Sequence, residues 1–364
     1  MISVPVTTPS RSYEVLIGNG MLAHAGDCLG KFLSSRRAFV VTVPPVRRHC
    51  AKVLLHSLAA SGVEAELLEM PDGERAKRLL NLEKLADKLV QQGADRGAIL
   101  IALGGGVVCD VTGFLASIYM RGVDVIQIPT TVLAQVDAAI GGKTGVNLIS
   151  GKNLLGTFHQ PRAVLIDPDV LKTLSPREYR AGLYEALKCG VIGDPGLFRL
   201  FEEHHSEILN RAPAVVEKII ADSVRLKASV VSADEREGGL RQVLNFGHTI
   251  GHALEAETQY KQLLHGEGVA WGMIAATQIA LSSGKLDSVT AGRITNAILG
   301  LGELPRMQWK TTNILKRLRS DKKTREGVVR FILPREIGKV EITTDVPDAI
   351  VRSAVEELRK LARN

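Results

Sequence analysis

Aromatic side chains are scarce in this chain: phenylalanine, tryptophan and tyrosine make up 4% of its 364 residues. Proteins that track single-stranded nucleic acid need such rings as stacking platforms, so that class is disfavoured. Cysteine is scarce as well. Cys28, Cys50, Cys109 and Cys189 lie far apart and show no metal-ligand spacing, which fits a reduced, cytoplasmic protein. No uninterrupted apolar run reaches the roughly 20 residues of a membrane span. The N-terminus, Met1-Ile-Ser-Val-Pro-Val, lacks the basic stretch and apolar core of a signal peptide. There is no internal repeat and no low-complexity tract. The excess of positive charge is a modest +7. Its basic residues are scattered apart from short clusters such as Lys316-Arg317-Leu-Arg319 and Lys322-Lys323. That pattern suits a solvated surface or attraction of a small anion better than a nucleic-acid groove.

What is present describes an ordinary globular chain, 45% hydrophobic and 23% charged. Its length exceeds a comfortable single core, so two domains are expected. The first half alternates strand-like and helix-like segments. Ala38–Thr42, Val63–Glu69, Ala98–Leu103, Val123–Ile128 and Val164–Asp167 read as strands. Helical periodicity runs through Ala51–His56 and Arg75–Gln92. This alternation predicts a Rossmann-like parallel sheet with flanking helices over residues 1–173. Near Lys172–Ser175 the character changes. Ser175-Pro176-Arg-Glu178 is a capping box with proline at the first helical position. Residues 174–364 therefore read as a mostly α-helical domain, with one strand-like stretch at Val328–Leu333.

Three glycine-rich stretches carry chemical signals. Gly104-Gly105-Gly106 follows an apolar strand and precedes a helix, where backbone N–H groups can approach a phosphate; a plain tight turn explains it equally well. Gly141-Gly142-Lys143-Thr144 resembles a P-loop, but Val136 occupies the position of the required first glycine, so ATP hydrolysis is disfavoured. Lys143 and Lys152 sit on glycine-flanked loops suited to phosphate or carboxylate, although such lysines are often only surface charges. Asp72-Gly73-Glu74-Arg-Ala-Lys77 reads as turn and cap chemistry or as contacts to a nucleotide.

The densest signal is Arg241-Gln-Val-Leu-Asn245-Phe-Gly-His248-Thr-Ile-Gly-His252-Ala-Leu-Glu255. Arg241, Asn245, His248 and His252 fall at steps of four, three and four, the repeat of one helical face. Apolar residues fill the other faces. A guanidinium, an amide and two imidazoles beside apolar walls are costly unless they bind something. His265 follows a short loop later, and Glu185 shares a helical face with Lys188. Lys227 falls on the apolar face of a predicted helix, where a lysine either snorkels outward or points into a site. A carboxylate and imidazoles are the donor set of open zinc sites. Spacing leaves open which histidines coordinate and which serves proton transfer.

These motifs resemble 3-dehydroquinate synthase of the sugar phosphate cyclase superfamily. The resemblance rests on Gly104-Gly-Gly-Val-Val-Cys-Asp-Val-Thr-Gly-Phe114, Tyr119-Met-Arg-Gly122, Pro129-Thr-Thr131, Asp137-Ala-Ala-Ile-Gly-Gly-Lys143, Gly151-Lys-Asn153, Asn245-Phe-Gly-His-Thr-Ile-Gly-His252 and Leu264-His-Gly-Glu-Gly268. It implies conversion of 3-deoxy-arabino-heptulosonate 7-phosphate to 3-dehydroquinate and phosphate, with NAD⁺ as a recycled oxidant, in a cleft between two domains. By the same resemblance Glu185, His248 and His265 bind Zn²⁺, with Co²⁺ as a substitute. Asp72, Glu74, Lys77, Gly105, Gly106, Val107, Asp110, Thr130, Thr131, Lys143 and Lys152 fall to the dinucleotide. Asp137, Lys143, Asn153, Lys188, Lys227, Arg241, Asn245 and His252 fall to substrate, and Glu237 orients basic site residues. Lys322 or Lys323 adds a further cation. Arg121 reaches the phosphate of the neighbouring subunit, which implies a homodimer; the composition already points to no nucleic-acid or membrane partner.

Two departures stand out. Relatives carry Asp or Asn after the first parallel strand to hold the adenosine ribose, where this chain has Thr42-Val43-Pro44-Pro45-Val46. Cys109 replaces a glycine, which places a thiol close to the pyrophosphate. Sister cyclases, namely 2-deoxy-scyllo-inosose, heptulose 7-phosphate and amino-dehydroquinate synthases, are the nearest alternatives. His252 and the carboxylate clamp Arg241 favour the first reading over most of them, and the amino-dehydroquinate enzyme shares nearly the same pocket. A metal-dependent alcohol dehydrogenase of the glycerol dehydrogenase type shares the two-domain plan but needs no cluster of phosphate-binding lysines.

Overall fold

The computed structural model describes residues 1–33, 37–320 and 329–362. Lys322 and Lys323 lie outside the described residues. By their internal contacts the residues form two units: Met1–Ser175 with Val216–Arg236, and Pro176–Val215 with Glu237–Asn364.

The first unit is built on a seven-stranded sheet. Its strands are β1 (Ile2–Thr7), β2 (Ser12–Ile17), β3 (Ala38–Thr42), β4 (Ala65–Glu69), β5 (Ile99–Gly104), β6 (Asp124–Pro129) and β9 (Ala163–Ile166). They stand in the order β1-β2-β9-β6-β5-β3-β4. All neighbours are parallel except β1 and β2, which pair as an antiparallel hairpin at one edge. The central strands are buried on both faces, and this explains why they read as continuous apolar runs rather than alternating ones. Leu82, Leu85, Leu89, Val111 and Phe114 cover one face over Leu100, Ala102 and Val125. Leu29, Leu33, Leu54 and Leu58 cover the other over Val40, Ile101 and Ile126. A separate antiparallel ribbon, β7 (Lys143–Leu148) with β8 (Gly151–Phe158), lies outside this sheet.

The strand order fixes where a ligand can enter. From β3 the chain adds β4 on one side and then returns to place β5 on the other. Open parallel sheets bind ligands at such a reversal, beyond the carboxyl ends of the strands. Those ends here are Thr42 and Gly104.

In the second unit the helix His265–Ser282 packs against Pro176–Gly193, His248–Glu257, Ser288–Gly300 and Asp348–Leu361. One small antiparallel pair, β10 (Phe331–Glu336) and β11 (Lys339–Thr343), completes the unit. Proline at the first helical position starts Pro176–Gly193. Cys28, Cys50, Cys109 and Cys189 are all free thiols. Among the described residues no helix is long and apolar enough to cross a membrane.

Candidate metal centre and anion-binding segments

The second unit collects four potential ligands through close helix packing. At Gly266 a Cβ would stand 1.7 Å from the carbonyl oxygen of Ala181. Only glycine lets the helix starting at His265 approach the helix of Ala181 so closely, and Glu185 lies one turn further along the latter. Gly247 does the equivalent for His248. It caps the helix His248–Glu257 in the left-handed region at φ +80, and a Cβ there would meet Met273 Cγ at 2.6 Å.

The glycine also revises the helical stripe. Leu240–Asn245 is a 3₁₀ turn ending before Gly247, and only His248 and His252 belong to the following α-helix. Arg241 and Asn245 therefore do not share a helix with the two histidines. The four-three-four spacing fits a continuous helix, but left-handed backbone at Gly247 breaks it.

The donor geometry converges on one point. Glu185 Oε1 is 3.7 Å from His248 Nε2 and 3.4 Å from His265 Nε2. Tetrahedral ligands about 2.1 Å from an ion lie about 3.4 Å from each other. The far nitrogens are engaged elsewhere, His248 Nδ1 with the carbonyl of Phe246 at 3.1 Å and His265 Nδ1 with Glu255 Oε1 at 3.1 Å. Such outer contacts fix the tautomer and aim Nε2 at a metal. Glu185 is 1% exposed, and neither of its carboxylate oxygens makes a hydrogen bond of good geometry. The Lys188 ammonium stands 2.6 Å away and is itself buried. Burial pushes the Glu185 pKa up, but Lys188 and the two imidazoles outweigh it and hold it well below the ordinary carboxylate value. A buried carboxylate with an ammonium at one oxygen and two imidazole nitrogens at the other is a fitting ligand for a divalent cation. His252 stands close by, its ring centroid 5.2 Å from that of His248 and 5.7 Å from that of His265. Ligand atoms of the three histidines all lie within 4.8 Å of one another, so distance alone also admits a three-histidine set.

Asn245 and Glu237 meet within the same unit, Asn245 Nδ2 donating to Glu237 Oε1 at 2.8 Å. Glu237 holds a left-handed φ of 60°. Arg241 is 1% exposed, one of the largest fully buried side chains. Glu255 and the Phe246 carbonyl were not anticipated as supports. Glu255 lies two turns beyond His248 on the same helix, a spacing that could have flagged it.

The first unit holds the remaining candidates. Gly105 and Gly106 lead from β5 into the helix Gly106–Ile118. A Cβ on Gly105 would meet Thr131 Cγ2 at 3.1 Å, so Thr131 closes over the turn. Thr130 is buried and Val107 partly buried. Lys77 is 3% exposed and donates to both Asp110 and Asn153. Asn147 ties this group to the preceding loop by donating to Glu74 Oε1 at 2.7 Å, and its Oδ1 accepts from the Asn153 N–H at 2.8 Å. Asp72 is exposed on that loop, as are Lys143 on the β7–β8 ribbon and Arg121, while Lys152 is partly buried. Lys227 is buried and grips Asp137, its ammonium 2.5 Å from Oδ1. Arg121 has φ +70 in a turn with Met120 at φ +49.

The two departures resolve differently. Beyond β3 there is indeed no carboxylate: Thr42 is buried with its hydroxyl donating to the Leu103 carbonyl at 2.8 Å, and Val43 is 3% exposed. Cys109 is packed into the turn that carries the glycines. Its thiol is 1% exposed and turns back to the Gly104 carbonyl. Burial pushes its pKa far up, so the thiol stays protonated and serves as a packing group.

Comparison with known proteins agrees with these features. Residues 67–181 match the family described as 3-dehydroquinate synthase N-terminal, and residues 182–324 its C-terminal counterpart. A 3-dehydroquinate synthase of Koribacter versatilis (strain Ellin345) is 56% identical over 363 residues, covering 100% of this chain and 99% of that protein. One of Solibacter usitatus (strain Ellin6076) is 49% identical over 356 residues, covering 98% and 99%. Among solved structures, the 2-epi-5-epi-valiolone synthase of Streptomyces hygroscopicus subsp. jinggangensis 5008, with NAD⁺ and Zn²⁺ bound, superposes with a TM-score of 0.88 at 32% identity. The match covers 96% of this chain and 98% of that one.

Proposed function

The chain belongs to the 3-dehydroquinate synthase family, and on that premise we propose which residues carry out the reaction. It is a phosphate-eliminating lyase of the shikimate pathway that converts 3-deoxy-arabino-heptulosonate 7-phosphate to 3-dehydroquinate and phosphate, using NAD⁺ and a divalent metal. One observation carries the assignment of the metal centre. Glu185 Oε1 lies 3.4 and 3.7 Å from two imidazole nitrogens whose partner nitrogens are already engaged. Glu185, His248 and His265 hold the ion, and His252 exchanges a proton with a substrate hydroxyl. Bound in these places, the metal supplies Lewis acidity at the C5 oxygen and NAD⁺ supplies a reversible hydride acceptor.

The rest is binding and orientation by the protein's own groups. Lys188 keeps Glu185 ionised and adds positive charge beside it. Arg241 clamps the substrate carboxylate with its planar fork. Asn245, oriented through Glu237, hydrogen-bonds the substrate. Asp137, held by Lys227, takes the ring hydroxyls. Lys143, Lys152 and Asn153 neutralise the phosphate as charge builds on it. Gly105, Gly106, Val107, Thr130 and Thr131 form the dinucleotide cradle with Asp72, Glu74, Lys77 and Asp110. The departing phosphate can itself accept a proton, so no single general base is required. Four free thiols support a cytoplasmic location.

A homodimer fits the surface around Arg121. Ile118 and Met120 are 46% and 41% exposed, and Leu154 and Phe158 of β8 are 42% and 44% exposed. Apolar groups gathered on two touching elements are what an interface between copies needs. To test the function, metal-loaded protein is given NAD⁺ and the heptulosonate phosphate while phosphate and dehydroquinate are followed. Turnover of glucose 6-phosphate instead, with none of the heptulosonate, rejects it.

A further inference from the structure

One buried carboxylate has no part in the reaction described above. Glu235, just past the helix Pro213–Ala233, is 8% exposed. Its Oε1 accepts from Thr8 Oγ1 at 3.0 Å, from Gln160 Nε2 at 2.9 Å and from Ser10 Oγ. Its Oε2 accepts from the Ser10 N–H at 3.3 Å. Burial pushes the Glu235 pKa up, but the hydrogen bonds from Ser10, Gln160 and Thr8 outweigh it and hold it below the ordinary carboxylate value. An ionised acid so ringed ties together three distant stretches of chain.

Gln160 leads from that carboxylate to the segment between Asp137 and Lys143. Gly142 has φ +66, and a Cβ there would stand 2.8 Å from Gln160 Cδ. The Gly142 carbonyl accepts from the His159 N–H at 2.8 Å, and the Gly141 N–H donates to Tyr13 Oη at 3.0 Å. The far end of the segment is thus held by Tyr13, His159 and Gln160. Its near end is held by Lys227, which donates to both the carbonyl and the carboxylate of Asp137. Lys227 sits on the helix that Glu235 follows. One carboxylate therefore anchors both holds.

We propose that Glu235 is a positioning residue that sets the conformation of the Asp137–Lys143 segment through Gln160 and through the helix bearing Lys227. It does not touch substrate. The inference rests on the reading that Asp137 and Lys143 do. A role confined to the fold would lower stability and leave turnover of the folded enzyme unchanged.

The test uses the full-length, metal-loaded protein as Glu235→Ala, Glu235→Gln and Gln160→Met. Glu217→Ala serves as control, since Glu217 lies on the same helix and accepts from Asn19 at the surface. Amide hydrogen exchange at Gly141–Lys143 is measured beside kcat and KM for the heptulosonate phosphate. Glu235→Ala and Gln160→Met are expected to exchange faster there and to lose on the order of 10- to 100-fold in kcat, with the smaller change in KM. Glu235→Gln keeps the one oxygen that accepts from Thr8, Ser10 Oγ and Gln160 but loses the acceptor for the Ser10 N–H, so it recovers part of the rate, and Glu217→Ala matches wild type. Gln160→Met keeps the side-chain volume, so it decides the matter if Glu235→Ala does not fold. Unchanged exchange, or faster exchange with unchanged kcat, overturns the proposal. Wild-type protein that releases no phosphate from the heptulosonate rejects the function reading alone, and exchange at Gly141–Lys143 still accepts or rejects the latch.

Discussion

His265 Nδ1 stands 3.1 Å from Glu255 Oε1, and its Nε2 stands 3.4 Å from Glu185. The ring is thereby fixed between two carboxylates, one that orients it and one that shares the metal in the proposed centre. Replacing Glu255 by Ala should lower metal affinity about 10- to 100-fold without removing a ligand. Competition against a chelator measures this, and wild-type affinity would show Glu255 to be a bystander.

The histidines should separate in two assays. His248→Ala is expected to lose metal and activity together. His252→Ala should keep its metal while losing roughly 10²–10⁴-fold in turnover, the usual contribution of a placed proton-transfer group. Metal analysis of the purified variants distinguishes them. Loss of metal from His252→Ala would favour the three-histidine set.

Gly247→Ala should destabilise the second unit. The left-handed backbone alone costs an L-residue about 1–2 kcal/mol, and the contact with Met273 adds to it. Urea unfolding should show a lower midpoint; an unchanged one would mean that the turn relaxes.

Arg121 offers a test of the dimer. Arg121→Ala and His248→Ala should each be inactive, yet mixing them through a cycle of dissociation should restore about a quarter of the activity. Half of the dimers are then mixed, and one site in each is intact. A mixture without activity rejects the shared site. Leu154→Glu with Phe158→Glu should sediment as a monomer.

His159 predicts a pH dependence of stability. Burial lowers its pKa below the ordinary value of 6.5, against a hydrogen bond to the Val123 carbonyl that raises it. The unfolded chain then binds the proton more readily than the folded one. Its contribution is complete above about pH 6.5 and is lost as pH falls toward the lowered folded value. His159→Gln should flatten that slope in unfolding measured between neutral and mildly acidic pH.

Legibility in the sequence followed burial. Ala38–Thr42 was readable to the residue as a strand because a strand covered on both faces is an unbroken apolar run. The β7–β8 ribbon was not, since β8 exposes Leu154 and Phe158 and its glycines resemble a loop. Lys227 stood out because it interrupts an apolar face, and it is buried against Asp137. Glu255 shares a helical face with His248, but its contact with His265, like that of the Phe246 carbonyl with His248, needs the loop and Gly247 placed in space. The broken stripe has the same cause: left-handed backbone at one glycine leaves the spacing of its neighbours unaltered.

That break divides the proposed site between two independently terminated elements. Arg241 and Asn245 belong to a 3₁₀ turn with its own end, while His248 and His252 belong to the helix beyond Gly247. In the proposed assignment the turn carries substrate contacts and the helix carries metal ligands, so a rearrangement of the turn need not shift the ligands by a helical register.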